Sequence, residues 1–130
     1  MSSGTAFVLL FSLTLCLLAL VVATGLAAKR RWHIPLVVLA FAALGGTIRA
    51  AVLVGKHYDL PSAGLITPVH LWLAKVTTAL YVLPLATGIR TLFAPGTRKL
   101  HRKIAFLVLG LTVLTAITGT AMLGMAERRD

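Results

Sequence analysis

Long apolar runs alternate with short polar connections along this chain. Phe7 to Ala28 is almost wholly apolar, and residues 34–54, 67–92 and 100–125 repeat the pattern. About 20 residues at ~1.5 Å each cover the ~30 Å hydrocarbon core of a bilayer, so every run is long enough to cross one. The pattern predicts an all-α fold: one integral membrane four-helix domain over residues 1–130, with spans at about 7–28, 34–54, 67–92 and 100–125. Short connections make consecutive helices antiparallel neighbours, which predicts an up-down-up-down bundle.

The polar connections punctuate these runs. Lys29-Arg30-Arg31-Trp32-His33 forms a first elbow, with Trp32 suited to headgroup level and Pro35 to a first helical turn. Within the second run, Gly45-Gly46 would let a neighbouring backbone or a flat ligand approach closely. Residues 55–67 read as a loop broken by Asp59, Pro61, Ser62 and Gly64. In the third run Pro68 fits the first turn and Pro84 predicts a kink. Ala94-Pro95-Gly96-Thr97 is a turn with Thr97 as N-cap, placing His101 about one turn inside the last helix. A secretory signal carries its positive charge ahead of the apolar core; here the charge follows it, so the first run is a retained span.

Composition agrees. The 130 residues are 58% hydrophobic and 12% charged, with mean hydropathy +0.95, whereas a soluble domain carries roughly 25% charged residues. A net charge of +10 raises nucleic acid as a partner. Its concentration in two elbows between apolar runs argues instead for the lipid bilayer. Lys29, Arg30, Arg31, Arg90, Arg98, Lys99, Arg102 and Lys103 lie at the two elbows, against Lys56, Arg128 and Arg129 on the other side. The positive-inside rule then puts both elbows in the cytoplasm and both termini outside, in the cytoplasmic (inner) membrane. The single cysteine, Cys16, lies within an apolar run and reads as a small buried residue.

A short internal repeat is visible. Ala23-Thr24-Gly25-Leu26 leads through basic residues to His33, and Ala86-Thr87-Gly88-Ile89 leads through basic residues to His101. It predicts two related hairpins with His33 and His101 as equivalent positions.

The candidate chemistry is histidine. Neutral imidazole is a good ligand for haem iron, and helix bundles hold cofactors with side chains from facing helices. His33 and His101 share the elbow depth and are the candidate bis-His pair for a b-type haem. His57 and His70 share the other side, with His57 in the loop, and a shared iron between His70 and His101 is disfavoured by the length of the hairpin between them. Zinc or copper fits less well, because no carboxylate lies in a span and no His-x-x-x-His occurs. Arg49 and Lys75 lie inside spans with no embedded acid to pair with. They either snorkel to the surface or bind haem propionates or quinone carbonyls. Thr77, Thr78, Thr112, Thr115 and Thr118 are expected to make interhelical hydrogen bonds. There is no hydrolytic constellation and no phosphate loop.

The order His33, Arg49, His70, His101-Arg102-Lys103 and Thr118-Gly119 resembles the small four-helix membrane proteins of the CtaM-like group, linked to maturation of haem-copper respiratory oxidases. The likeness covers about residues 31–123, and His57 lies outside it. The layout is also similar, in architecture, to a reduced cytochrome b561 core. The resemblance implies work beside a respiratory oxidase in assembly, haem handling or electron transfer. The expected function is therefore that of a haem b protein carrying one or two haems, an electron carrier or assembly factor rather than a self-contained catalyst. The alternatives are an assembly or interaction protein without a stable cofactor, and a quinone-reactive redox subunit.

Overall fold

The computed structural model describes residues 2–129. It is all-α apart from two-residue extended segments at Tyr58–Asp59 and Glu127–Arg128. Four helices are long and apolar enough to cross a membrane: Ser3–Leu26, Arg30–Gly55, Ile66–Phe93 and Pro95–Met125, of 24, 26, 28 and 31 residues. The chain divides into two compact units, residues 2–58 with Arg129, and Asp59–Arg128.

The first unit is a hairpin of α1 (Ser3–Leu26) and α2 (Arg30–Gly55). Ser2 caps α1, its hydroxyl accepting the Thr5 N–H at 3.1 Å. At the other end Lys29 N–H reaches the Thr24 carbonyl (2.9 Å) and Ala28 N–H the Gly25 carbonyl (3.2 Å). This is a Schellman turn, and Ala28 takes its left-handed position with φ 54°. The helices run antiparallel, with Gly46 against Leu10 and the Thr14 and Thr47 hydroxyls bonded at 2.8 Å. The buried residues of α2 are Ala40, Ala43, Thr47, Ala50 and Val54. Their alternating spacing of three and four is that of a helix–helix seam, and small side chains let the backbones close together.

The second unit pairs α5 (Arg98–Met125) with α3 (Ile66–Leu80) and α4 (Val82–Phe93). The third span is broken at Tyr81, as the expected kink at Pro84 requires. Proline at 84 offers no N–H to the Leu80 carbonyl and its ring crowds that carbonyl, so the ladder opens one turn earlier. Tyr81 hydroxyl then bonds Thr112 at 2.7 Å, and Thr77 bonds Thr115 at 3.1 Å. Gly64, with φ 71°, turns the chain from the 3-10 turn Leu60–Ala63 into α3.

The short repeat extends into a register shared by both hairpins. Thr14, Thr24 and Gly25 of α1 recur at one constant shift as Thr77, Thr87 and Gly88. His33, Ala40, Thr47 and Val54 of α2 recur at a second constant shift as His101, Val108, Thr115 and Met122. Corresponding residues do corresponding work: Thr14–Thr47 and Thr77–Thr115 are each an interhelical hydroxyl pair, and Ala40, Val54, Val108 and Met122 are all buried. The longer second elbow takes up the difference between the shifts.

Local expectations are adjusted at four points. Cys16, read as a small buried residue, is exposed on α1. Helix α2 starts at Arg30, not near Ile34, so His33 is inside it and Pro35 lies beyond its first turn. Thr97 precedes α5 but does not cap it with its side chain; its hydroxyl donates to the Ala94 carbonyl at 2.7 Å. Thr78 is exposed, and its hydroxyl makes none of the interhelical bonds expected of it.

Candidate functional site

Within the first hairpin, the Schellman turn folds the start of α2 back over the end of α1 and lays the half-buried His33 ring on Thr24-Gly25. His33 Nδ1 is 3.0 Å from the Val21 carbonyl and 3.3 Å from Thr24 Oγ1. The Thr24 hydroxyl donates its own proton to the Leu20 carbonyl at 2.8 Å. Both neighbours of Nδ1 therefore accept, so Nδ1 carries the proton. In the neutral ring Nε2 is then the nitrogen with the lone pair, which a metal ligand uses. Gly25 makes the seat possible: a Cβ there would lie 3.1 Å from His33 Cε1.

The second hairpin repeats the arrangement at its elbow. His101 Nδ1 lies 3.1 Å from Thr87 Oγ1, whose proton goes to the Leu83 carbonyl at 2.7 Å. A Cβ on Gly88 would be 3.2 Å from His101 Cε1.

A third copy closes the opposite end of this hairpin with the helices exchanged. Here α3 supplies the histidine and α5 the dipeptide. His70 Nδ1 is 3.1 Å from Thr118 Oγ1, which donates to the Leu114 carbonyl at 2.9 Å; the Thr115 backbone is a further hydrogen-bond partner of the ring. The seat is the tightest of the three, since a Cβ on Gly119 would lie 2.7 Å from His70 Cε1. Each of the three Thr-Gly dipeptides in the chain thus seats a histidine.

The other candidates behave differently. His57 is exposed in the turn after α2; its backbone N–H donates to the Val54 carbonyl and its carbonyl accepts from the Arg129 N–H, each at 2.9 Å. Arg49 and Lys75 are exposed on α2 and α3. Gly46 serves close packing against Leu10, whereas a Cβ on Gly45 would meet nothing within 4 Å. Thr118 and His101 are 17 residues apart on α5, about 25 Å at ~1.5 Å per residue, so His70 and His101 are too far apart to share one ion. Every basic residue of both elbows is exposed.

Among the described residues there is no group of three or more His, Cys, Asp or Glu side chains that could hold a metal ion. A bare zinc ion takes three or four protein donors. A metalloporphyrin brings four nitrogens of its own and asks the protein only for axial ligands, which is what solitary imidazoles with a fixed Nδ1–H supply. The donor set fits haem better than a free ion. Sequence reasoning found the histidines but missed Thr24 and Thr87 as their partners; the recurrence of Thr-Gly was the available signal. No family model matches the chain, and neither does any curated protein or solved structure.

Proposed function

We propose that this chain is a b-type haem-binding integral membrane protein that serves electron transfer, haem handling or the assembly of a respiratory oxidase. The observation that carries the reading is the repeated seat: equivalent positions of two related hairpins each hold a histidine on a Thr-Gly step, with Nδ1 against the threonine hydroxyl and the ring over the glycine. His33 and His101 are candidate axial ligands in this reading, each at the elbow of its own hairpin, an assignment that rests on their equivalence in the repeat. The bound haem would supply a one-electron carrier whose potential the protein tunes through axial ligation, hydrogen bonding and burial.

The chain's own residues have assigned tasks. Thr24, Thr87 and the Val21 carbonyl fix the ring protons, and Gly25 and Gly88 leave room for the rings. The exposed Lys29, Arg30, Arg31, Arg98, Lys99, Arg102 and Lys103 offer partners to propionates. The excess of Lys and Arg at the elbows supports a cytoplasmic side for them in this reading. The order of histidines and basic residues resembles the CtaM-like group, which favours an oxidase as partner.

The test is the absorption spectrum of protein purified from cells supplied with haem precursor. A Soret band with low-spin features is expected, and it should vanish in both His33→Ala and His101→Ala. Full low-spin haem in both variants overturns the ligand assignment. Wild-type protein without haem overturns the cofactor reading and leaves an assembly factor without a stable cofactor.

A further inference from the structure

We infer that His70, held by Thr118-Gly119, is a second haem-ligating centre, separate from the one at the elbows. The inference shares with the proposed function the premise that the Thr-Gly seat marks a ligand; it does not depend on His33 or His101.

Three observations carry it. The His70 seat reproduces both elbow seats in every shared element: a threonine hydroxyl bonded to the carbonyl four residues earlier, that hydroxyl against Nδ1 at 3.1 Å here and 3.3 and 3.1 Å at the elbows, and a glycine under Cε1. The glycine gives the His70 ring room against the α5 backbone where the Thr118 hydroxyl meets Nδ1. Distance makes the centre separate, because about 25 Å of α5 lies between Thr118 and His101, whereas metal–imidazole bonds are only about 2 Å. The repeat also makes it specific to one hairpin. The first hairpin has Phe7 where the second has His70, and Ala50-Ala51 where it has Thr118-Gly119. A centre with one donor nitrogen, and no group of three or more ligating side chains among the described residues, fits a ligand that carries its own donors, an iron porphyrin.

The experiment titrates ferric protoporphyrin into the purified full chain and into single variants, counting equivalents bound. Two equivalents are expected for the wild type. His70→Ala should lose one and leave the other's spectrum unchanged. Gly119→Ala, whose methyl would intrude on the ring, should weaken the same equivalent at least tenfold, while Gly110→Ala on the same helix, with open space beyond it, should change nothing. In haem-free protein, 15N resonances should show His70 protonated on Nδ1, which tests the seat even if a variant fails to fold. Binding of one equivalent, lost in His33→Ala or His101→Ala but not in His70→Ala, overturns this inference and leaves the proposed function standing. One equivalent lost only in His70→Ala does the reverse. An Nε2-protonated His70 also overturns it.

Discussion

The two hairpins are built on one register and finished differently. Both carry an interhelical threonine pair at the same level, and both seat a histidine on Thr-Gly at the elbow. The second adds Pro84, a break at Tyr81, a longer elbow and a third seat at the far end. The shared parts are the small and hydroxylated residues that bring helices together where apolar burial gives little drive. The parts that differ are histidine and its seat. The frame has thus been kept while the histidine seat has been doubled in one hairpin only, and the haem proposal turns on this asymmetry.

The sharpest way to break it is to fill both elbow seats. Gly25→Val and Gly88→Val should each displace a ring and lower haem binding at the elbow more than tenfold; a large loss from one and none from the other would show that the hairpins are not equivalent. Next comes Ala28→Gly. Ala28 is the one non-glycine residue with positive φ among those described. Relief of a left-handed backbone should stabilise the first hairpin by about 1 kcal/mol, read as a higher unfolding midpoint in mixed detergent, while a lower midpoint would refute the Schellman geometry. Thr14→Val and Thr77→Val should cost less, about 0.6 kcal/mol each, and should cost the same as each other if the pairs are equivalent. The smallest effect belongs to Thr78→Val, which should leave both stability and haem content unchanged.

Much of this was legible in the sequence, for physical reasons that vary by residue. The four apolar runs mark helices because only helices and closed barrels satisfy the backbone in lipid. Pro84 announced its break because a missing N–H is a local defect. The start of α2 was misjudged because Arg30 and Arg31 are poor company for the positive end of a helix dipole; the Schellman turn starts the helix there regardless. The histidines stood out, as ionisable groups near a bilayer do. Their tautomers did not, since each is set by a hydroxyl on another helix, and pairing His33 with Thr24 or His70 with Thr118 requires the register of the folded hairpin. Thr97 looked like a cap for the same local reason that misleads: its hydroxyl had a nearer carbonyl to reach.

The seats also differ in how much chain must be made before each can close. His33 and Thr24 are 9 residues apart, His101 and Thr87 are 14 apart, and His70 and Thr118 are 48 apart. Closing the longest of these loops costs about 1.5 kcal/mol more than closing the shortest, by the logarithmic dependence on length. It also waits for nearly the whole of α5, because Thr118 is close to the end of that helix. During synthesis the first elbow is therefore complete while the second hairpin is still on the ribosome. The His70 seat comes last, so a chain cut short in α5 would emerge with both elbow histidines in place and the third without its partner.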